Sequence, residues 1–273
     1  MVGILTIGNL IGKGSFGKVY DCQHVKHKGE FVVKVVDNPN TIYEKQNLSM
    51  EISAISKLGK RKGFVDLIDV IDDNKYTYIV MEKAKGGTLS KNDIPKSRSK
   101  KYGLIRSMAE CLQACEEEGV VHMDTKPNNF IYDPYTNQVT LIDFGLSICY
   151  DPTDIHKNEN IVYRLPGPRG SKYFIPPEIM LANTVYRNSD VWSHGILAHL
   201  ILTNRLLSTK SNTNKGYMNI LTTISKSNML SMAEKSYLMK CIALTPDNRA
   251  NTDLLLSRPS IAETHYVSLQ DII

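Results

Sequence analysis

Apolar residues in the first third of the chain recur with the two-residue period, or in the short valine-rich runs, that β-strands show. Strands are predicted over residues 3–10, 18–25, 30–36, 65–71 and 76–82. Between the third and fourth strands, one stripe of a helix predicted over residues 43–58 carries Leu48, Ile52, Ile55 and Leu58. This order indicates a small antiparallel sheet packed against one helix.

Helical spacing replaces this pattern after residues 83–87, whose two glycines predict a hinge. Helices are predicted over residues 98–118, 191–207, 217–225 and 231–244, and residues 145–177 predict a long irregular loop of the kind that carries function. The predicted fold class is therefore α+β and bilobal. A small antiparallel β-sheet lobe covers about residues 1–82, a hinge about 82–87, and a mainly helical lobe about 88–273.

Composition narrows the class of protein. The 273 residues are 42% hydrophobic and carry a net charge of +5, as expected for a globular protein. No apolar run is long enough for a membrane-spanning helix, and the first residues lack the basic and apolar regions of a secretion signal. We therefore predict an intracellular protein, cytoplasmic or nuclear, that is neither secreted nor bound to a membrane.

The cysteines and one basic cluster are candidate binding sites. Five cysteines without C-x-x-C spacing predict reduced thiols. Cys111 and Cys115 stand one helical turn apart, as two metal ligands would, but no further Cys or His lies near, and helix packing is favoured. The basic cluster over residues 96–101 lacks interleaved aromatic residues, which favours a solvated loop over nucleic-acid binding.

Polar residues near the middle of the chain have the composition that phosphoryl transfer requires. Asp124 is placed to accept the proton of an attacking hydroxyl, Lys126 to contact the γ-phosphate, and Asn129 to bind a second metal ion. Asp143 begins an Asp-Phe-Gly tripeptide after a predicted strand and offers a carboxylate for magnesium. These residues predict a phosphotransferase.

Two features of the first lobe point to nucleotide phosphates. Gly12, Gly14 and Gly17 form a G-x-G-x-x-G pattern followed by strand formers, which predicts a strand-to-strand turn over phosphates and argues against a dinucleotide-binding site. Lys34 lies in an apolar strand, where an unpaired lysine is costly unless it reaches solvent at a sheet edge. Glu51 on the following helix is its preferred partner, and Glu44 is the competing one.

Together these residues resemble those of eukaryotic-type protein kinases, and the likeness covers the chain as a single kinase domain over residues 1–273. Residues 170–178, which end in Pro-Pro-Glu, are similar to the end of a kinase activation segment, and Asp190 to the aspartate that braces the catalytic loop. The resemblance implies a buried salt bridge between Glu178 and Arg249. It also implies ATP and Mg²⁺ as cofactors, with Mn²⁺ as an alternative metal.

The resemblance further implies an adenine pocket and a substrate class. Met81 corresponds to the gatekeeper, the Glu82 carbonyl and Ala84 N–H would bond the edge of the ring, and apolar side chains would sandwich it. The predicted nucleotide contacts are Ile11, Gly12, Gly14, Gly17, Val19, Val32, Lys34, Met81, Glu82, Ala84 and Ile131. Lys126 and Ser171 follow the serine/threonine-specific pattern, so the expected substrate is a protein with a Ser or Thr acceptor.

One departure from the family pattern concerns control. Met123 stands where many kinases have an arginine that pairs with a phosphate on the activation segment, so we expect activity without phosphorylation there. The alternative is that Arg164 or Arg169 substitutes for that arginine. The short chain, rich in Asn, Lys and Ile, resembles the protein kinases of large DNA viruses such as baculoviruses, and we expect no separate regulatory or targeting domain.

Two other functions are compatible with part of this pattern. A small-molecule kinase of the same fold would also need Asp124, Asn129 and Asp143, but Ser171 and the Pro-Pro-Glu segment point to a peptide-docking surface. A pseudokinase scaffold requires the loss of a catalytic residue, and all those of the pattern are present. The sequence does not identify the protein substrate, its consensus or an activating partner.

Overall fold

The first lobe is a five-stranded antiparallel sheet with the strand order β1-β2-β3-β5-β4. The computed structural model describes residues 3–14, 17–153, 160–208 and 213–256. The strands are β1 (Leu5–Gly14), β2 (Gly17–His24), β3 (Phe31–Asp37), β4 (Leu67–Asp72) and β5 (Tyr76–Glu82). Helix α1 (Ile42–Leu58) connects β3 to β4 and buries Ala54, Ile55 and Leu58 in a core shared with Ile79 of β5.

The sequence of β3 places it at the centre of this sheet. Its β-branched residues favour a strand that is buried on both faces, and the strand pairs with β2 on one side and β5 on the other. Lys34 lies in the middle of β3 and is buried. The edge-strand alternative for this lysine is therefore wrong, and its ammonium needs partners inside the protein.

The second lobe is mainly helical, and its described residues also form two short strand pairs and one small three-stranded sheet. Its helices are α2 (Arg98–Glu117), α3 (Pro177–Ala182), α4 (Ser189–Thr203), α5 (Asn214–Ser225), α6 (Met232–Cys241) and α7 (Thr252–Leu256). Its strands are β6 (Gly87–Thr88), β7 (Val120–Val121), β8 (Phe130–Asp133), β9 (Gln138–Leu141), β10 (Ile148–Cys149), β11 (Ile161–Arg164) and β12 (Thr184–Tyr186). All fifteen residues of α4 are buried, so this helix forms the centre of the lobe. The predicted fold class, a sheet lobe with one helix and a helical lobe, is confirmed.

Several predicted boundaries are wrong. Helix α4 ends at Thr203 rather than 207 because Asn204 adopts a left-handed φ of 58° and caps the helix. Helix α6 ends at Cys241 rather than 244, and the Ala243 carbonyl beyond it accepts the Arg249 guanidinium instead. The predicted irregular loop contains β10 and β11, and residues 154–159 of it lie outside the described residues.

The basic cluster over residues 96–101 is not simply a solvated loop. Arg98 and Lys101 lie in the first turn of α2, and both side chains donate to the Leu202 carbonyl near the end of α4. Arg98 also forms a salt bridge with Glu234, which is fully buried. These two cations join α2 to α4 and α6, so their role is structural.

The connection between the lobes depends on a glycine. Gly86 has a φ of 112°, and a Cβ at this position would lie 2.3 Å from the Tyr132 carbonyl oxygen of β8. The chain can therefore pass close to β8 and then pair with it as β6. Within the described part of the chain, no helix combines the length and the apolar character needed to cross a bilayer.

Candidate active site

An ion-pair network joins β3, α1 and the segment that follows β9. The Lys34 Nζ donates to Glu51 Oε1 and, at 2.9 Å, to Asp143 Oδ1. Lys34 and Glu51 are 5% and 3% exposed. A buried ammonium is thus balanced by two carboxylates, as burial of a charge requires. Glu44, the competing partner, instead accepts backbone N–H groups at the start of α1, where it completes the helix cap.

Burial and charge act against each other in this network. At Glu51 burial has the larger effect and raises the pKa, although the Lys34 ammonium opposes that rise. Burial acts to lower the pKa of Lys34, but the negative charges of Glu51 and Asp143 outweigh it and raise that pKa. Burial acts to raise the pKa of Asp143, and the Lys34 ammonium outweighs it and lowers that pKa. At neutral pH Lys34 is therefore cationic, which suits phosphate oxygens, and Asp143 is anionic, which suits a divalent cation.

Asp124 follows β7 and lies at the centre of a second group of polar side chains. Its Oδ2 accepts from Lys126 Nζ at 2.6 Å and from Asn129 Nδ2 at 3.0 Å. Lys126 Nζ also donates to Ser171 Oγ at 2.7 Å. The other oxygen, Asp124 Oδ1, is buried and has no hydrogen-bond partner among the described residues. One carboxylate oxygen is held in place, and the second is an acceptor without a donor among the described residues, as a catalytic base can be before its substrate binds.

The Asp190 side chain, near the start of α4, is hydrogen-bonded to the backbone just before Asp124. The Asp190 carboxylate accepts the His122 N–H at 2.6 Å and the Met123 N–H at 3.0 Å. His122 Nδ1 accepts the Asp124 N–H at 3.2 Å, so its Nε2 carries the proton and donates to the Ile142 carbonyl at 3.1 Å. His122 thereby links the loop of Asp124 to the segment of Asp143. No spacing signal in the sequence pointed to this role.

Four of the predicted nucleotide contacts share the face of the first sheet that carries Lys34. Val19 lies directly opposite Lys34 and also opposite Gly12, because β2 pairs with both neighbours at this position. Val32 lies two residues before Lys34 and opposite Met81. Side chains opposite one another, or two apart in one strand, lie on the same face. This face combines apolar surface with the lysine ammonium.

The remaining predicted nucleotide contacts lie towards the ends of β1 and β2, at and after the end of β5, and on β8 of the second lobe. Gly14 and Gly17 are paired at the ends of β1 and β2, and Ser15 and Phe16 of the turn lie outside the described residues. Gly17 has a φ of 148°, and a Cβ there would meet the Val35 carbonyl oxygen at 2.6 Å. The others are placed as follows: Ile11 half-exposed on β1, Glu82 at the end of β5, Ala84 in the connection between the lobes, and Ile131 on β8.

Met123 lies in an apolar cluster instead of facing a charged group. It is 6% exposed and clusters with residues from β10, the segment after β11, α3 and β12: Ile148, Leu165, Ile179 and Val185. Strands β11 and β12 are antiparallel, with Arg164 opposite Thr184. This strand pair was not predicted. It holds the segment of Leu165 against the loop of Met123.

The two arginines considered as substitutes contact other groups. Arg164 Nη1 lies 3.5 Å from the Thr184 hydroxyl, within the β11–β12 pair. Arg169 Nη1 donates to Tyr43 Oη and to Asn47 Oδ1 on α1, both at 3.1 Å. Arg169 thus connects the segment between β11 and α3 to α1, the helix that carries Glu51.

Glu178 and Arg249 form a buried two-bond salt bridge. Nη1 and Nη2 of Arg249 lie 2.6 Å and 2.8 Å from the two carboxylate oxygens of Glu178. The Ser189 hydroxyl donates to the same carboxylate at 2.9 Å, and the guanidinium lies over the Trp192 ring at 5.5 Å. The pair fixes α3, at the end of the segment, to the chain after α6.

Oxygen atoms of Asp143 and Asn129 are suitable ligands for a magnesium ion that binds together with nucleotide phosphates. Asn129 uses its amide nitrogen for Asp124, which leaves its amide oxygen for a metal. Mg²⁺ prefers oxygen ligands and is commonly held by one or two protein groups together with phosphate oxygens and water.

In the described ranges no cluster of three or more His, Cys, Asp or Glu side chains is able to hold a metal, so Cys111 and Cys115 form no such site. Burial raises the pKa of Cys111 to about 12, and both thiols pack in the core.

Comparison with known proteins agrees with this geometry. The chain matches the family model of the protein kinase domain over residues 5–261. It is 29% identical to calcium-dependent protein kinase 26 of Arabidopsis thaliana over 206 residues, which are 73% of this chain and 40% of that protein. It is 27% identical to CBL-interacting serine/threonine-protein kinase 15 of Arabidopsis thaliana over 258 residues, or 92% of this chain and 59% of that protein.

A third relative is calcium-dependent protein kinase 24 of Oryza sativa subsp. japonica, which is 30% identical over 203 residues, or 72% of this chain and 38% of that protein. The chain therefore spans less than two thirds of the length of these relatives. The family model nevertheless covers both lobes and every residue of the candidate site. The chain belongs to the protein kinase domain family.

Proposed function

We propose that this chain is an active serine/threonine protein kinase that transfers the γ-phosphate of ATP to a protein hydroxyl. The observation that carries the proposal is the unpartnered Oδ1 of Asp124, which is buried while Oδ2 is held by Lys126 and Asn129. A fixed carboxylate with one available oxygen suits a base that receives the proton of an attacking hydroxyl.

The other residues take roles that follow from their charge and position. Lys34, held by Glu51, would bind the α- and β-phosphates, and Lys126 would bind the γ-phosphate and keep Asp124 oriented. Asn129 and Asp143 would hold Mg²⁺ or Mn²⁺, which neutralises phosphate charge when bound. The adenine ring would lie against the surface of Val19, Val32 and Ile131, with the Glu82 carbonyl and Ala84 N–H at its edge.

A protein substrate is favoured over a small molecule by the surroundings of Ser171. Lys126 Nζ contacts both Asp124 and Ser171. The segment that carries Ser171 continues into α3, which the Glu178–Arg249 pair anchors to the lobe. A firmly held segment beside the base is suited to docking an extended peptide. The acceptor class, serine or threonine, rests on the pattern at Lys126 and Ser171 and on the name of one relative.

Asp124→Ala is the direct test of this function. We expect phosphate transfer to a degenerate Ser/Thr peptide library to fall by about 10²- to 10⁴-fold, because the general base is lost. ATP affinity, measured by calorimetry, should be largely unchanged. Asp253→Ala, which alters an exposed aspartate on α7, is the matched control and should keep wild-type turnover.

Other outcomes of the same assay would contradict the proposal. Equal activity of wild type and Asp124→Ala on every peptide would indicate a pseudokinase scaffold or a wrong base. Transfer to sugars, choline or aminoglycosides, with none to peptides, would indicate a small-molecule kinase. An intracellular location and a likeness to viral kinases remain predictions, and the relatives described above are plant proteins.

We further propose that activity does not require phosphorylation of the segment over residues 145–177. The apolar packing of Met123 with Leu165, Ile179 and Val185 supports this, because a phosphate would have no cation at position 123 and would lie beside apolar groups. Phosphatase-treated protein, verified by mass spectrometry, should retain its turnover. Loss of nearly all turnover on that treatment, restored by an activating kinase, would contradict the proposal.

A further inference from the structure

Arg169 connects the segment before α3 to the face of α1 that carries Glu51. Its Nη1 donates to Tyr43 Oη and Asn47 Oδ1 at 3.1 Å each. Tyr43, Asn47 and Glu51 are spaced by four residues, so they lie on one face of the helix. A contact with the first two side chains therefore fixes the rotation of the helix that presents Glu51 to Lys34.

The two residues after Arg169 contact the catalytic loop. Gly170 has a φ of 127°, and a Cβ there would lie 3.1 Å from the Met123 carbonyl oxygen. Ser171 accepts a hydrogen bond from Lys126, which also donates to Asp124. Three consecutive residues thus reach from α1 to the loop of the proposed base. A shift of α1 would therefore displace Asp124, and a shift of Asp124 would displace α1.

The guanidinium is only partly enclosed. Nε and Nη2 of Arg169 are buried and have no hydrogen-bond partner among the described residues, whereas the contact of Nη1 with Tyr43 is exposed and its contact with Asn47 is partly buried. As a charged donor, Nη1 makes stronger hydrogen bonds than a neutral donor would. The nearby Arg164 is exposed and lies by the Thr184 hydroxyl, away from α1. The two arginines of this segment therefore differ in what they connect.

We infer that Arg169 is a positioning residue that holds α1 against this segment and so keeps Glu51 on Lys34. Many kinases have, at position 123, an arginine that pairs with a phosphate on the activation segment. Here that position is Met123, and the contact of Arg169 with α1 connects the segment without a phosphate. The inference rests on the proposed kinase function for its effect on turnover, but its structural part concerns the orientation of α1 alone.

The test compares Arg169→Ala with Arg164→Ala. Loss of the connection should let α1 rotate away, so that Lys34 no longer holds the phosphates in line. We expect kcat to fall by about 10- to 100-fold, as displacement of about an ångström at a reacting centre commonly causes, while the KM for the peptide changes little. Arg169→Lys, which keeps a cationic donor, should recover part of the loss. Arg164→Ala should retain wild-type kcat.

A second measurement does not depend on activity. Amide hydrogen exchange in α1 should become faster in Arg169→Ala than in wild type or Arg164→Ala, while exchange in α4 stays the same. In a double-mutant cycle, Arg169→Ala and Asn47→Ala should have effects on kcat that do not multiply, because they remove the same contact.

Two results would overturn the inference: equal α1 exchange in both arginine variants, or independent effects of Arg169→Ala and Asn47→Ala on kcat. Absence of turnover in the wild type would instead refute the proposed function, and the exchange measurement would still decide the role of Arg169.

Discussion

His194 shows what burial does to one titratable residue. It lies in the fully buried α4, with Nε2 2.7 Å from the Tyr237 hydroxyl and Nδ1 without a hydrogen-bond partner among the described residues. Burial lowers its pKa from 6.5 to about 4. The folded protein therefore holds His194 neutral at a pH where the unfolded chain protonates it.

This difference predicts acid sensitivity. The stabilising contribution of neutral His194 is fully present above pH 6.5, the ordinary value, and is lost as the pH falls towards about 4. The unfolded chain binds the extra proton in this window, so the free energy of unfolding should fall by about 2–3 kcal/mol between pH 7 and 4.5 on account of this residue. Urea titrations of wild type and His194→Leu at several pH values measure it.

The His194→Leu variant lacks the titrating group, so its stability should depend less on pH by that amount. Parallel pH profiles of the two proteins would show that His194 is not responsible. His199 on the same helix also has a pKa lowered by burial, and it is present in both proteins, so its contribution cancels in the comparison.

At the scale of elements, the sequence predicted what hydrophobic periodicity and local chemistry determine. The succession of strands and helix α1 along the first lobe follows from apolar spacing, and the Lys34–Glu51 pair follows from the cost of burying Lys34. The order of the strands in the sheet and the contact of Lys34 with Asp143 were not predicted. The β11–β12 pair could not be predicted in this way, because its strands are short and lie on both sides of α3. Their pairing depends on tertiary packing around Leu165 and Val185.

Helix ends show the same limit. Apolar residues continue the helical pattern past Thr203 and Cys241, yet both helices stop there. At the first, Asn204 adopts a left-handed conformation. At the second, the side chain of Arg249, six residues further along, donates to the carbonyl of Ala243. Apolar periodicity carries no sign of such a polar contact. Arg169 is a similar case, since its contact with α1 spans 122 residues.

At the scale of the whole molecule, the Glu178–Arg249 pair anchors α3 and the segment before it, which we propose docks the peptide. Arg249 is fully enclosed, and its guanidinium also donates to the carbonyls of Ala243 and Asn188. Removing one member of a buried pair leaves an uncompensated charge, which typically costs ~3–5 kcal/mol. We therefore expect Arg249→Met to lower the free energy of unfolding by about that amount, measured by urea denaturation.

An exposed arginine of the same chain serves as the control. Arg61 Nη1 and Glu118 Oε1 also lie 2.6 Å apart, and Arg61 Nη2 contacts Glu117 as well, but the side chains of Arg61 and Glu118 are 34% and 38% exposed. Water screens exposed pairs, which commonly contribute about 0–1 kcal/mol. Arg61→Met should therefore be nearly neutral, although the contact distance is the same. Equal losses in the two variants would mean that enclosure of the Glu178 carboxylate does not set the cost, and that α3 is held by its apolar contacts instead.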